Sequence, residues 1–314
     1  MVFVQLFKKV LCYMAFSCVA FLALCTKAAE HIAPPSLSSI ENSDIKRLLP
    51  TDEVKTMLAG ETEFLSLRSE YMSADFRGIV LLIPDWQSTP TNNAGMSYLR
   101  KELNNLGYTT YAMTTPDIDW QASKIAEPAA ETAPSAATET ESQANSESEQ
   151  PNASSKNEAP HHVDAIEAIS DEILDNYKLN LLARYKALYL TAMQEPTNIV
   201  VIAQGTSAGV LTEYYADFPQ ERIDAFISVS SYLPNAKRNK SLSQTTSLVT
   251  PAFLDIYYAS DNRDILINLK NRQRWVNRNA KFDYRQRQLF GLRDQPQQHA
   301  RLTKEIDGFL RRLF

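Results

Sequence analysis

A short stretch near the middle of the chain joins a strand pattern directly to a helix pattern. The residues from Ile199 to Ala203 are apolar and mostly β-branched, as in a buried strand. Small residues follow at 205–209, and the pattern of 210–217 is helical. A sharp strand–turn–helix junction of this kind resembles a nucleophile elbow, a strained turn that exposes a catalytic serine. The stretch therefore predicts an elbow, whose chemistry depends on the residue at its tip.

Two residues compete for the tip of this elbow. The sequence from Gly205 to Gly209 matches G-x-S-x-G, with Ser207 at the serine position. The tip residue normally follows its strand by about two positions, which places Gly205 there and Ser207 one helical turn inside. We favour Gly205, which gives an elbow without a nucleophile, and keep Ser207 as the alternative.

The rest of the chain alternates strand and helix patterns. Strand patterns occur at 63–72, 79–83, 109–113, 225–230, 252–258 and 282–290, and helix patterns at 94–106, 163–192 and 301–313. Strands that alternate with helices at this spacing predict an α/β fold with a doubly wound, mostly parallel sheet. The first two strands, joined by a turn, predict an antiparallel edge.

Residues 1–28 have the features of a secretory signal peptide. Lys8 and Lys9 precede an uncharged apolar run over 10–25, and small residues at Thr26 and Ala28 form a cleavage site. The apolar run is shorter than the ~20 residues that a spanning helix needs, and a retained anchor is the alternative. All three cysteines of the chain lie in this segment. We therefore expect an exported, periplasmic protein with no disulfide and no membrane span in the mature chain.

A polar, acidic segment interrupts the globular pattern. Residues 122–160 contain one large apolar residue, Ile125, and seven glutamates against two lysines, a net charge of −5. Such a segment cannot bury enough apolar surface to offset its ordering entropy, which predicts disorder; an acidic docking tail or lid is the alternative. The predicted organisation is a signal peptide at 1–28, one domain in two parts at 29–121 and 163–314, and a disordered insertion at 122–162.

Five segments together resemble a known superfamily. They are Glu63–Leu67, Arg77–Trp86, Leu106–Thr110, Gln204–Thr206 and Pro251–Tyr257. In this order they are similar to the α/β-hydrolases, and more narrowly to an exported bacterial family described as a domain of unknown function. The elbow of that family commonly has the sequence Gly-His-Gly-x-Gly, without a serine, and Ala203-Gln204-Gly205 departs from it further. The resemblance implies the α/β-hydrolase fold rather than an activity.

A serine hydrolase needs a histidine that accepts the serine proton and an acid that orients the histidine. Of the four histidines, only His299 lies in predicted folded sequence, after the last strand, where this fold places its catalytic histidine. We favour an exposed surface histidine instead. Asp261 follows the strand at 252–258, the usual place of the acid, although a turn aspartate is equally natural there. The alternative function is an esterase or acyl hydrolase that uses Ser207, His299 and Asp261.

The residues after the strand at 79–83 are unusual for a hydrolase. Backbone N–H groups here normally stabilise the oxyanion of the reaction, but Pro84 lacks an N–H and Asp85 brings a negative charge. This combination argues against ester hydrolysis unless Asp85 is protonated or turned away. The candidate elbow and pocket residues are Gln204, Gly205, Thr206, Asp85 and Trp86.

The C-terminal part of the chain is basic. Residues 262–314 carry thirteen Lys and Arg against five Asp and Glu, a net charge of +8. Aromatic residues lie among these cations, as in nucleic-acid-binding segments, but the predicted export argues against nucleic acid. Anionic lipid headgroups or cell-wall polymers fit better, and a solvated surface that balances the acidic insertion is the alternative.

No dinucleotide motif, phosphate-binding loop or metal-spaced His/Glu cluster occurs in the sequence, so we expect neither a cofactor nor a metal. The favoured function is that of an exported α/β-hydrolase-fold protein with a degenerate serine-hydrolase site. Such a protein acts by binding a small-molecule or envelope ligand, for which the basic C-terminal segment suggests an anionic character.

Excision of residues 122–160 is expected to leave the thermal unfolding midpoint nearly unchanged. The segment adds no core, and the entropy of closing a loop grows only slowly with its length. The measurement is thermal unfolding of the chain with and without the segment. A fall of ~10 °C or more, which corresponds to several kcal/mol, would show that the segment packs on the domain.

Overall fold

The structure is a computed structural model that describes residues 36–118 and 169–314. The predicted signal peptide at 1–28, the predicted insertion at 122–162 and the first residues of the helix predicted at 163–192 lie outside the described residues. The residues described from Leu37 onward belong to one unit of the chain.

Eight strands form a single sheet in the described residues. They are β1 Val54–Ala59, β2 Thr62–Ser69, β3 Gly78–Ile83, β4 Tyr108–Met113, β5 Ile199–Gln204, β6 Ala225–Val229, β7 Ala252–Tyr258 and β8 Tyr284–Leu289. Their order in the sheet is β1-β2-β4-β3-β5-β6-β7-β8. β2 pairs antiparallel with β1 and β4, and all other neighbours are parallel. The predicted doubly wound, mostly parallel sheet is thereby confirmed.

Helices cover both faces of the sheet. They are α1 Leu37–Leu48, α2 Met96–Asn105, α3 Asp171–Ala192, α4 Gly205–Asp217, α5 Ala236–Thr245, α6 Arg263–Leu266, α7 Leu269–Arg278 and α8 Pro296–Leu310. Within β3, Ile79, Leu81 and Ile83 share a core with α3 and α4, whereas Val80 and Leu82 share a core with α1, α2 and α8. A strand that is buried on both faces needs this continuous apolar run, which explains its composition.

The register of the parallel strands assembles the site. Ile83 in β3 is level with Ala203 in β5, and Gln204 is level with Val229 in β6. Val229 in turn is level with Ile256 in β7. The carboxyl ends of four strands therefore meet at one edge of the sheet, and the loops that follow them bring their polar residues together there.

The antiparallel edge involves a different pair of strands from the predicted one. The sequence predicts an edge from the patterns at 63–72 and 79–83, but β2 lies between β1 and β4. The β1–β2 hairpin closes at Gly60, whose φ of 64° favours glycine. The sequence does not predict β1, because it is a largely exposed edge strand with only one buried residue, Ala59.

The last helix begins earlier than predicted. The apolar pattern indicates 301–313, whereas α8 spans Pro296–Leu310. Proline suits the first turn of a helix, since its missing N–H would have no intrahelical partner there. The earlier start places His299 inside the helix rather than in the preceding loop.

No helix within 36–118 or 169–314 is long and apolar enough to cross a membrane.

A buried ion pair fixes α7 against the sheet. The Arg272 guanidinium donates to both carboxylate oxygens of Asp255 in β7, at 3.2 and 3.1 Å. It also donates to the Ser231 hydroxyl at 2.7 Å and the Ser231 carbonyl at 2.8 Å. The hydroxyls of Ser228 and Tyr284 donate to the same carboxylate. Because the two side chains are each only 1 % exposed, removing either partner leaves the charge of the other buried and unpaired.

Arg272→Met is expected to lower the free energy of unfolding by about 3–5 kcal/mol, because it leaves the Asp255 carboxylate buried without its cation. Urea unfolding measures the loss. Arg274→Met is the matched control, since Arg274 lies on the same helix, is exposed and donates a hydrogen bond to the neutral side chain of Asn271. The control is expected to change stability by less than about 0.5 kcal/mol. Equal effects of the two substitutions would contradict the structural role of the pair.

Candidate functional site

The residue at the turn between β5 and α4 is Gly205. Its φ is 59°, in the left-handed region, and it is the first residue of α4 directly after Gln204. Non-glycine residues adopt this backbone conformation at a cost of about 1–3 kcal/mol. The strand–turn–helix junction thus has the backbone of a nucleophile elbow with a residue that bears no side chain.

The carboxylate of Asp85 occupies the space that a side chain on Gly205 would need. A Cβ built on Gly205 lies 2.6 Å from Asp85 Oδ1 and nearer still to Cγ. Asp85 Oδ1 accepts hydrogen bonds from the backbone N–H of Trp86 at 2.9 Å and of Thr206 at 2.8 Å. One N–H comes from the loop after β3 and the other from the residue that follows the elbow tip.

These two N–H groups occupy the positions of an oxyanion hole. In an α/β-hydrolase the oxyanion is bound by the N–H that follows the nucleophile and by an N–H from the loop after the third strand. Here the negatively charged carboxylate of Asp85 accepts both of these N–H groups, in the place that an oxyanion would take. We call the N–H groups of Trp86 and Thr206, together with the nearby Arg293, the elbow cradle.

Burial raises the pKa of Asp85 to about 6, because desolvation disfavours the charged form. The hydrogen bonds from Thr206 and Trp86 and the positive charge of Arg293 act in the opposite direction. Relative to an unfolded aspartate, the raised pKa favours protonation in the folded chain. The contribution of the Asp85 carboxyl to the free energy of unfolding is therefore present at acidic pH. It is lost as the pH rises through about 6.

Ser207 lies inside the first turn of α4 and is fully buried. Its hydroxyl donates to the Pro84 carbonyl at 2.6 Å and lies 2.8 Å from the Tyr177 hydroxyl. Because the Ser207 proton is engaged by Pro84, Tyr177 is the donor in the second bond. Burial and the negative charge of Asp85 raise the pKa of Tyr177 well above its usual value, which keeps it a donor. Ser207 therefore connects α4 to the loop after β3 and to α3.

Asp261 follows β7 and binds an arginine rather than a histidine. Asp261 Oδ1 accepts from Arg293 Nε at 2.9 Å and from Arg293 Nη2 at 2.6 Å. Oδ2 accepts from the Ser230 hydroxyl at 2.6 Å and from the Tyr258 N–H at 2.9 Å. Ser230 itself has a φ of 55°, an uncommon conformation for a residue other than glycine. Four donors thus hold this carboxylate.

His299 is buried, so the expectation of an exposed surface histidine is wrong. Because α8 starts at Pro296, His299 falls in the first helical turn on the face that packs inward with Leu302. Its Nε2 lies 2.7 Å from the Arg293 carbonyl, and its ring lies against Tyr98 with centroids 5.6 Å apart. The structure thus shows no hydrogen bond between any two of Ser207, His299 and Asp261, and instead both His299 and Asp261 bind Arg293.

Arg293 is the functional residue that the sequence analysis missed. It lies in the loop between β8 and α8, where a catalytic histidine is expected, and binds Asp261 while its charge lowers the pKa of Asp85. The signal in the sequence is its place, as the single basic residue of the loop 290–295. A serine-hydrolase triad needs a histidine at this point of the chain, so an arginine there does not match the pattern.

The remaining candidate residues surround the cradle. Gln204 is 2 % exposed and Thr206 is fully buried, whereas Trp86 is partly exposed. Gln204 Oε1, Thr206 Oγ1 and Trp86 Nε1 have no hydrogen-bond partner of normal geometry in the part of the chain that the structure describes. Tyr232 lies beside both Thr206 and Trp86, and burial raises its pKa. The cradle is therefore bordered by polar atoms that still have hydrogen-bonding capacity.

The family of the chain is now identifiable. Residues 12–312 match the family described as "Protein of unknown function (DUF3530)". The chain belongs to this family. No curated protein sequence matches the chain.

Solved structures of hydrolases share the fold of this family member. Est1E from Butyrivibrio proteoclasticus aligns at 8% identity over 83% of this chain and 98% of its own, with a TM-score of 0.52. Dienelactone hydrolase from Anabaena variabilis aligns at 11% identity over 83% of this chain and 99% of its own, with a TM-score of 0.51. At these identities the similarity shows the α/β-hydrolase fold alone.

No group of three or more His, Cys, Asp or Glu within the described ranges is arranged to hold a metal.

Gly205→Ser is expected to destabilise the protein more in the presence of Asp85 than in its absence. In the native background the serine adds about 1–3 kcal/mol of backbone strain and also displaces the carboxylate from its two N–H donors. In an Asp85→Ala background only the strain remains. A double-mutant cycle by urea unfolding is expected to give a coupling of at least about 1 kcal/mol.

Gly60→Ser is the matched control for this cycle. Gly60 has a φ of 64°, close to that of Gly205, but a Cβ there meets no atom within 4 Å. Its substitution is expected to add strain that is independent of Asp85. If Gly205→Ser also proves independent of Asp85, the carboxylate does not occupy the elbow.

Proposed function

We propose that this protein is an exported, non-hydrolytic member of the α/β-hydrolase fold, a binding or envelope-associated factor. The observation that carries the proposal is the position of the Asp85 carboxylate. It fills the space of the missing nucleophile side chain and takes both N–H donors of the oxyanion position.

Acyl transfer requires a nucleophile, a base and a neutral cradle for the developing oxyanion. Gly205 supplies no nucleophile, and a second negative charge in the cradle would be repelled by Asp85. The loop between β8 and α8 presents Arg293 to Asp261, and an arginine side chain is a permanent cation that cannot serve as the base. Each of the three requirements therefore lacks a residue that can meet it.

The esterase alternative receives no support from the geometry. The Ser207 hydroxyl is enclosed, and its proton is engaged by the Pro84 carbonyl. His299 Nε2 is engaged by the Arg293 carbonyl, and Asp261 is engaged by the Arg293 side chain. A working triad would need three such interactions to be exchanged together, within a closely packed region.

The N-terminal sequence supports export, whereas the basic C-terminal segment supports an anionic ligand less than its net charge suggests. Of the thirteen cations in 262–314, five form ion pairs within the domain, namely Arg272, Lys281, Arg287, Arg293 and Arg311. Much of the local basic charge is therefore structural. Four cations line a groove beside α8, Arg285, Arg287, Lys304 and Arg312, against Glu305 and Asp307, so that its excess positive charge is two. The elbow remains the better location for a small anionic ligand.

A fluorophosphonate probe tests the proposal directly. Protein expressed from its full-length gene is expected to remain unlabelled, as is the Ser207→Ala variant, while an active serine esterase in the same tube is labelled. Intact mass spectrometry detects the adduct, and the same spectrum reports whether the chain has been cleaved after Ala28. Labelling of the native protein that disappears in Ser207→Ala would overturn the proposal in favour of the esterase.

A further inference from the structure

The elbow cradle holds an anion in the free protein, and that anion is a side chain. We propose that the cradle is a binding site for a carboxylate carried by an external ligand, and that Asp85 occupies the site until the ligand replaces it. The inference rests on the proposed non-hydrolytic function and specifies the chemistry of its ligand.

The backbone geometry of the cradle suits a carboxylate. The N–H groups of Trp86 and Thr206 converge on one oxygen at 2.9 and 2.8 Å. Thr206 is the second residue of α4, a helix of 13 residues, so that the positive end of the helix dipole points at the same oxygen. Asp85 itself demonstrates that a carboxylate fits between these donors.

Side chains around the cradle offer further hydrogen bonds. Thr206 is fully buried, and its hydroxyl lies close enough to Asp85 to favour the charged carboxyl, yet it has no hydrogen bond of normal geometry. Trp86 Nε1 likewise has no hydrogen bond of normal geometry in the described residues. Tyr232 lies beside both side chains. A buried donor without a well-formed hydrogen bond costs free energy, so a ligand carboxylate that improves this geometry is favoured.

The charges around Asp85 permit one anion at a time. Arg293 is the nearby cation, and Asp261 already neutralises it through two hydrogen bonds. Tyr177 from α3 and Tyr232 after β6 face Asp85, and their raised pKa values keep them neutral. An incoming carboxylate is therefore accepted when the Asp85 carboxyl is protonated and its side chain rotates out of the cradle. Binding of a ligand carboxylate is therefore expected to be accompanied by uptake of one proton by Asp85.

The backbone of Asp85 is anchored while its side chain is replaceable. The Asp85 carbonyl accepts from the Ser88 N–H at 2.9 Å and from the Thr115 hydroxyl at 3.2 Å. The residue is partly exposed, and no helix or strand includes it. We therefore assign the exchange to rotation about the side-chain bonds of Asp85, with its backbone held in the loop after β3.

Acetate is the probe that tests this inference, with calorimetric titration at constant ionic strength as the measurement. Asp85→Ala empties the cradle and is expected to bind acetate at least about tenfold more tightly than the native protein near pH 7.5. A tenfold change is the scale expected when a competing ionised group with a pKa near 6 is removed. Acetamide, a neutral molecule of the same shape, is expected to bind neither protein.

The native protein provides a second measurement. Its affinity for acetate is expected to rise about tenfold or more as the pH falls from about 7.5 to about 5.5, because Asp85 takes up a proton in that range. The affinity of Asp85→Ala is expected to stay nearly constant over the same interval. Asp75→Ala, which removes an exposed aspartate before β3, is the matched control and is expected to behave as the native protein does.

Three results would overturn the inference. They are a folded Asp85→Ala that does not bind acetate, acetamide binding equal to that of acetate, and enhanced binding in Asp75→Ala. If Asp85→Ala fails to fold, a native affinity that does not change with pH overturns it instead. The fluorophosphonate experiment is independent of all of these, so that failure of the non-hydrolytic function and failure of the carboxylate site are distinguishable.

Discussion

The hydrogen bonds from the Trp86 and Thr206 N–H groups to Asp85 Oδ1 are the interaction on which the rest of the site depends. They join the loop after β3 to the first turn of α4 and place a negative charge at the helix N-terminus, where it is favourable. The same carboxylate lies where a side chain on Gly205 would project. Glycine at the elbow and aspartate after β3 therefore form one coupled arrangement, in which each residue makes the other possible.

An ion pair beside the elbow joins the loop after β7 to the loop after β8. Asp261 follows β7, and four donors hold its carboxylate, two of them from Arg293. Arginine is a permanent cation, whereas a catalytic histidine must exchange a proton. Arg293 is consequently a fixed cation paired with Asp261, while the two N–H donors of the elbow hold the Asp85 carboxylate. Under the proposed function, this arrangement holds a charged group rather than transferring an acyl group.

Local sequence predicted the parallel core well and its borders less well. β3 and β5 are continuous apolar runs because both of their faces are buried, and such runs are visible without any tertiary information. β1 is mostly exposed, and its pairing with β2 depends on a hairpin at Gly60, so composition alone did not reveal it. The start of α8 was missed because its first turn carries polar residues on both sides, although Pro296 marks the position.

The sequence by itself determined the fold, the absence of a side chain at Gly205 and the presence of an acidic residue after β3, because these follow from residue types at fixed places along the chain. Only the tertiary structure decided which groups meet. Arg293 reaches Asp261 across 32 residues, and the N–H of Thr206 reaches Asp85 across 121. His299 became a buried structural residue through the start of α8. Contacts of this kind depend on sheet register and on helix ends, which no local pattern of apolar and polar residues specifies.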